Sequence, residues 1–175
     1  MNTLFKISKK QIFPISLIFI LAISRLIPHP PNFTPIIAVA IMSSYFFKNI
    51  YFSFFILLIS MFLSDIFIGF YSNMIFVYFS LLLITYVFFQ INEKINSKSL
   101  IIFGFFGSLI FYLVSNFGVW ALSGMYQKNF AGLVECYILA IPFFKNTLFS
   151  TIIFSYSAYL ANKYLNKSFF QSGNN

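Results

Sequence analysis

The amino-acid sequence predicts an all-α protein, a polytopic membrane bundle of six transmembrane helices. Of its 175 residues, 60% are hydrophobic and 8% are charged, and the mean hydropathy is +0.89. A soluble domain of this length cannot bury so much apolar surface in one core. Six apolar runs, bounded by charged or turn residues, use most of the chain. We therefore expect a single membrane-embedded domain over residues 1–175.

The predicted helices follow the apolar runs in chain order. They cover residues 12–27, 36–47, 51–68, 74–91, 100–122 and 146–161. The first run follows Lys6, Lys9 and Lys10 and ends in a small-x-small stretch at 22–24, a pattern that signal peptides share. We expect the run to be retained, because cleavage would remove a helix that the bundle needs.

The segment Arg25–Pro35, between the first two helices, is rich in proline. Three prolines between residues 28 and 31 cannot continue a helix and predict a rigid, extended turn. Thr34 followed by Pro35 predicts an N-cap with proline at the first helical position. The next helix, 36–47, would be about 18 Å long against about 30 Å of hydrocarbon. Either the bilayer is thinned there or the loop sinks into the outer leaflet to line a cavity, and we favour the sunken loop.

The region between the last two predicted helices contains a further apolar stretch, residues 129–141. It is too short to span a bilayer alone, and it contains Glu135. We expect a re-entrant or interfacial segment that ends near Pro142, because proline disrupts a helix interior. A seventh span would move Lys163 and Lys167 to the outer side, against the positive-inside rule.

The distribution of basic residues predicts the orientation of the chain. With six spans and an inner N-terminus, eight basic residues lie inside: Lys6, Lys9, Lys10, Lys48, Lys94, Lys98, Lys163 and Lys167. Three lie at the outer side: Arg25, Lys128 and Lys145. The excess of basic residues inside predicts a multi-pass protein of the cell (inner) membrane with cytoplasmic N- and C-termini.

Polar and charged residues from separate parts of the chain are predicted to reach the same outer level. Asp65 lies about 21 Å along its helix from Tyr51, and Asn116 about 24 Å from Leu100, at 1.5 Å per residue. Ionisable groups at membrane depth are costly to keep and are candidates for function. The predicted substrate-binding residues are Arg25, His29, Asn32, Asp65, Asn116, Trp120, Glu135, Lys145 and Asn146.

Several of these residues also have a purely structural interpretation. Arg25 is the single arginine among eleven basic residues, which suits bidentate binding of an anion, but it could equally snorkel to the interface. Asp65 serves as well as a salt-bridge partner of Arg25 as it does as a ligand contact. Trp120, with Tyr71 and Tyr126, fits an aromatic belt better than a stacking platform.

The sequence predicts no metal site, no cofactor and no catalysis. His29 is the only histidine, and prolines flank it, which is more typical of a loop residue than of a metal ligand. Cys136 is the only cysteine, so an internal disulfide is excluded. The chain lacks a nucleophile elbow and a His-x-x-x-His pair, so we do not expect an enzyme. The net charge of +8 orients loops rather than binding nucleic acid.

Four stretches of the sequence resemble a known family. They are the proline loop Pro-His-Pro-Pro-Asn-Phe-Thr-Pro-Ile at 28–36, Leu-Ser-Asp-Ile-Phe-Ile-Gly at 63–69, Ser-Asn-Phe-Gly-Val-Trp at 115–120 and Ala-Ile-Pro-Phe-Phe-Lys-Asn-Thr at 140–147. They resemble an uncharacterised family of small bacterial integral membrane proteins for which a transport role has been suggested. That family is in turn similar to the S (substrate-binding) components of energy-coupling-factor (ECF) transporters.

The resemblance implies a six-helix subunit that binds a vitamin or related micronutrient from the outer side. It also implies a shared transmembrane coupling subunit with ATPases as a partner, besides the lipid bilayer and the small-molecule substrate. Many S components carry alanines at four-residue spacing on helix 1 for this docking. The present chain departs from that pattern, because Ala22 has Ile18 and Leu26 four residues away on either side.

Two functions therefore remain open from the sequence. The first is a substrate-binding transport subunit in which Arg25 and the start of helix 2 hold an anionic group, while Asp65 or Glu135 holds an amine or hydroxyl. The alternative is a non-catalytic membrane scaffold or assembly partner with no small-molecule ligand. In that case the outer charges form internal pairs.

Overall fold

The computed structural model describes residues 9–47, 49–91 and 96–171, with side chains over 11–47, 49–91 and 96–164. These residues form six α-helices and no strand. The helices are α1 (Lys9–Ile23), α2 (Ile36–Phe46), α3 (Ile50–Ile68), α4 (Met74–Phe89), α5 (Ser99–Leu122) and α6 (Phe130–Gln171), with a 3₁₀ turn, Ser24–Leu26, after α1. Lys6, Lys48 and Lys94, on which part of the predicted orientation depends, lie outside the described residues.

α2 is the central helix of the bundle, and it packs against all five other helices. Its residues from Ile36 to Ser44 are buried, most of them completely. A short helix that is apolar all round is stable only when other helices cover every face. The length of α2, which is too short for a span, therefore fits a helix enclosed by protein.

The bundle has polar groups inside and large apolar side chains outside. Buried serine and threonine hydroxyls bond to helix carbonyls, and Ser53 and Thr85 do so across helices, to Ser43 O and Ala40 O at 3.2 Å. Phe67, by contrast, is 77% exposed. Hydroxyls at helix contacts and an apolar exterior are typical of helices packed in lipid.

Three helices of the described chain are long and apolar enough to cross a membrane. They are Ile50–Ile68, Ser99–Leu122 and Phe130–Tyr164. The remaining apolar helices, Gln11–Leu26, Ile36–Phe46 and Met74–Phe89, are shorter.

α6 corrects the predicted division of the C-terminal region. It runs over 42 residues with Pro142 inside, so the predicted break near Pro142 and the separate helix at 146–161 are wrong. Proline removes one hydrogen bond from a helix and crowds the carbonyl four residues earlier, but packing in a bundle can offset that cost. α6 has its most extensive contact with α5, including a hydrogen bond between Ser108 and Thr151 at 3.2 Å.

The α1–α2, α3–α4 and α5–α6 connections lie at the same end of the bundle, which we call the proline-loop end. The loop of residues 27–35 is held against α6, since Asn146 Nδ2 donates to Pro31 O at 2.9 Å. Within the loop, Asn32 adopts a left-handed conformation with φ 59°. The predicted Thr34 cap is wrong, because the N-cap position of α2 is Pro35 and has no side-chain cap.

Candidate functional site

A cavity of about 480 Å³ opens at the proline-loop end of the bundle. This volume lies within the range of small-molecule binding sites, roughly 300–1,000 Å³. Its walls come from the 3₁₀ turn, the three connections and the adjoining ends of α2, α4, α5 and α6. Its polar and aromatic lining residues are Arg25, Asn32, Thr34, Tyr71, Asn73, Phe111, Tyr112, Ser115, Asn116, Tyr126, Phe143, Phe144 and Thr147.

Arg25 lines this cavity and forms a buried ion pair with Asp65. Arg25 Nη2 lies 2.9 Å from Asp65 Oδ1, and the two side chains are 8% and 0% exposed. Arg25 Nη1 donates to Ser64 Oγ at 2.6 Å and contacts Met61 Sδ at 3.4 Å. Asp65 Oδ1 accepts no well-directed hydrogen bond from the described residues, so its contact with Arg25 is mainly a charge interaction.

Two tyrosines surround the ion pair. The Tyr78 hydroxyl donates a hydrogen bond to Asp65 Oδ2 at 2.7 Å, which connects α4 to α3. Tyr71, in the α3–α4 connection, lines the cavity next to Arg25. Burial, together with the negative charge of Asp65, raises the pKa of Tyr71 to about 12. The Tyr71 hydroxyl therefore stays protonated and neutral at physiological pH.

The proline loop and α6 form a second wall. Asn32 and Thr34 line the cavity from the loop, and Thr147 lines it from α6. Thr147 Oγ1 lies 3.4 Å from Asn32 O and donates to Phe143 O at 2.9 Å. Asn146, predicted as a ligand contact, instead fixes the loop through Pro31 O and is absent from the cavity lining.

α5 and α6 form the third wall. Asn116, a predicted site residue, lines the cavity, and its Nδ2 donates to Tyr112 O of its own helix at 2.8 Å. Cys136 Sγ lies 3.4 Å from Asn116 O and also lines the cavity. The contacts fix the position of Asn116 relative to α6.

Besides Asn146 and the buried Asp65, four further predicted site residues are absent from the cavity lining. His29 is exposed in the proline loop, where its Nδ1 lies 3.0 Å from Pro30 O. Trp120 secures the α5–α6 connection by donating to Gln127 O at 2.9 Å. Lys145 is exposed on α6. Glu135 is exposed beside an apolar surface hollow that also includes Phe130, Ala131, Val134, Ile138 and Leu139.

The structure brings further residues to the cavity that the sequence did not single out as ligand contacts. Asn73 comes from the start of α4, and Ser115 and Tyr112 come from α5. Tyr71 and Tyr126 also line it, although an aromatic belt was the favoured interpretation of both. The position of Ser115 along its helix, next to Asn116, would have been enough to predict it as a cavity residue. The direction of the Tyr71 side chain could not be predicted in this way, because it depends on the conformation of the α3–α4 connection.

The cavity lining has the chemical groups of a small-molecule binding site. It combines aromatic side chains, amide and hydroxyl groups, and one guanidinium whose charge is compensated. Within the part of the chain that the structure describes, no three His, Cys, Asp or Glu residues cluster in a way that could hold a metal ion. Such a lining can enclose a small molecule and hydrogen-bond to its edges.

Comparison with curated proteins gives no significant match, and comparison with solved structures gives none. Among protein families, one model matches residues 5–172, and it is described as a family of unknown function (DUF6580). The match extends over α1 to α6 and therefore includes every residue of the cavity. The chain belongs to this family of unknown function, DUF6580.

Proposed function

We propose that this protein is the substrate-binding subunit of a membrane transport system, or a small transporter, which captures a micronutrient from the outer side of the membrane. The observation that carries the proposal is the cavity of about 480 Å³, which lies under three connections at one end of an apolar bundle. Residues distant in sequence meet there, and a pure packing role would not require such an open space in the bundle.

The charges of the described residues support an outward-facing cavity. Among the described positions, three basic residues lie near the proline-loop end: Arg25, Lys128 and Lys145. Five lie toward the opposite end: Lys9, Lys10, Lys98, Lys163 and Lys167. The positive-inside rule puts the end with more basic residues in the cytoplasm, and the first helix begins and the last helix ends at that same end. The cavity then opens to the outer compartment, as capture of an external substrate requires.

A coupling subunit with ATPases would have to dock on a surface other than the Ala22 side of α1. Ile18 and Ala22 are 0% and 1% exposed, so both lie inside the bundle. The proposal is therefore limited to capture of the substrate, and it holds whether or not an energising module takes part.

A membrane scaffold is the alternative, and the Arg25–Asp65 pair favours it. A scaffold interpretation predicts that charges at this end are internal pairs, and these two are paired at 2.9 Å. A partner helix could pack on small residues spaced four apart, such as Ala40 and Ser44 or Gly104 and Ser108. Within the bundle, however, Ser44 is buried and Ser108 bonds to Thr151. The scaffold alternative does not explain the cavity, because it includes no small-molecule ligand.

Native mass spectrometry on gently purified protein tests the proposal. The informative variant is Asn73→Trp, which fills the cavity from the start of α4, where the Asn73 side chain makes no cap hydrogen bond. Its matched control is Ser72→Trp, at an exposed neighbouring position outside the lining. We expect one small molecule of defined mass to leave with the wild type and with Ser72→Trp, and to be absent from Asn73→Trp.

An empty wild-type protein in complex with a stoichiometric protein partner would support the scaffold. A small molecule retained equally by Asn73→Trp would show that the ligand lies elsewhere. Equal loss of the molecule from both tryptophan variants would attribute the loss to general disruption of the fold.

A further inference from the structure

We propose that the ligand of this cavity is an electroneutral, planar compound with polar edges, an inference that rests on the proposed capture function. The net charge of the ligand differs from the one that the sequence led us to expect, in which Arg25 and the start of helix 2 hold an anionic group. The reason for the difference is that Arg25 is already paired with Asp65.

The charge of the cavity lining is compensated from within the protein. Arg25 is the only Lys, Arg, Asp, Glu or His among the described residues that line the cavity. Its guanidinium lies 2.9 Å from Asp65, whose side chain is completely buried. The positive charge that faces the ligand is therefore paired before any ligand enters.

A ligand with net charge would leave one uncompensated charge in the site. An anion that approached Arg25 would share the guanidinium with Asp65, and the buried carboxylate cannot move into water. A cation would find no acidic side chain in the lining, since Glu135 lies on the exposed face of α6. Unpaired charges in a desolvated site are strongly unfavourable. A neutral molecule incurs no such cost.

The neighbouring ionisable groups do not alter this balance. Lys128 is held in the α5–α6 connection, where its ammonium lies 5.5 Å from the ring centroid of Trp120 and donates to Trp120 O. Lys145 and His29 are exposed to the outside of the bundle end. Tyr71 stays neutral because burial and Asp65 raise its pKa to about 12. The local charge at the ligand is thus set by the Arg25–Asp65 pair.

The remaining lining residues indicate the shape of the ligand and its hydrogen-bonding edges. Aromatic rings reach the cavity from α5, α6 and two connections, and planar rings pack well against flat, conjugated molecules. Amide groups of Asn32, Asn73 and Asn116 can donate to and accept from the edges of such a molecule. These groups, spread around the cavity, suit an uncharged heteroaromatic compound or an aromatic amide.

The proposal is tested with planar probes of the same size and three different charges. A carboxylate only accepts and an amidinium only donates hydrogen bonds, so the charge-reversal variants below separate charge from hydrogen bonding. Naphthalene-2-carboxamide, 2-naphthoate and 2-naphthamidinium share one planar shape and carry charges of 0, −1 and +1, and the benzamide, benzoate and benzamidinium set does the same with one ring. Their dissociation constants are measured by saturation-transfer NMR with the full-length protein in zwitterionic lipid nanodiscs at pH 7. We expect the amides to bind at least tenfold more tightly than their charged counterparts, and Asn73→Trp but not Ser72→Trp to abolish that binding.

A charge-reversal experiment tests the cause of the selectivity. Asp65→Asn leaves Arg25 without its counter-charge, and we expect the preference between amide and carboxylate to shift at least tenfold toward the carboxylate. The double variant Arg25→Gln/Asp65→Asn is neutral again and should prefer the amide. If Asp65→Asn does not fold, the wild-type comparison of the three probes decides the proposal by itself.

Each contrary result separates this inference from the capture function. Equal or tighter cavity binding of the carboxylate or amidinium would overturn electroneutrality and leave capture intact. The same holds if the molecule identified by native mass spectrometry carries a net charge at pH 7. No probe binding together with an empty wild-type protein would overturn both.

Discussion

The contact between Arg25 and Asp65 changes how both residues are interpreted. Each is costly inside an apolar bundle, and each could have been a ligand group. At 2.9 Å from one another, they form a brace between the 3₁₀ turn and α3, which Tyr78 extends to α4. The brace also positions Arg25 at the cavity wall. A change at either residue should therefore alter both the stability of the bundle and the shape of the cavity wall.

The buried pair predicts a large coupling energy. Asp65→Asn should lower the free energy of unfolding by about 3–5 kcal/mol, because it leaves the Arg25 charge buried without a partner. The double variant Arg25→Gln/Asp65→Asn should recover a large part of that loss. The measurement is denaturant unfolding of the four proteins of the cycle in one detergent. Additive losses from the two single variants would contradict a coupled pair.

At the scale of single helices, α6 is the element whose structure departs most from the prediction. Pro142 and the short apolar stretch before it indicated a break, yet the helix is continuous over Phe130–Gln171. A proline inside a helix removes one hydrogen bond, and the cost is set by the packing around it, which is a property of the bundle. By contrast, the ends of α2, α3 and α4 lie within two residues of their predicted positions, because local polar and turn residues determine them.

The contact between α4 and α5 makes a specific prediction about stability. A Cβ at Gly118 would lie 2.5 Å from Phe76 Cβ, an atom next to the backbone that cannot rotate away. Gly118→Ala should therefore destabilise the protein by about 1–3 kcal/mol despite the better helix propensity of alanine. The measurement is the shift of the unfolding midpoint in detergent.

Gly107→Ala on the same helix is the matched control. A Cβ there would meet the Cδ1 methyl of Ile41 at 3.1 Å and the Cγ2 methyl of Ile37 at 3.2 Å, distances that a slight shift of the side chains can relieve. We expect a change below about 1 kcal/mol, since small overpacking against mobile side chains is tolerated. Equal losses from the two variants would show that the close approach of α4 to Gly118 is not what limits stability.

At the scale of the whole molecule, the orientation of the bundle is the prediction that matters most for function. In a Cys136→Ala background, Ser72→Cys at the proline-loop end should react with a membrane-impermeant maleimide added to intact cells. Lys98→Cys, at the opposite end, should react only after permeabilisation. The physical reason is the excess of basic residues predicted at the cytoplasmic end. The reverse pattern would place the cavity opening in the cytoplasm and would exclude capture from outside.

By itself, the sequence determined that the chain is an apolar helical bundle and where most of its helices begin and end. These properties depend on local features: the length of apolar runs, and the prolines and charges between them. The sequence placed Arg25 and Asn116 at the same end of their helices, because position along a helix follows from the rise per residue, and both line the cavity.

Only the tertiary structure decided which side chains face the cavity. In an apolar chain rich in phenylalanine, every face of a helix is hydrophobic, so periodicity does not reveal how each helix is rotated. Glu135 therefore lies outside the cavity, while Tyr71 and Tyr126 line it. The pairing of Arg25 with Asp65 depends in the same way on the packing of separate helices. Because of that pairing, the positive charge that Arg25 brings to the cavity is compensated by Asp65.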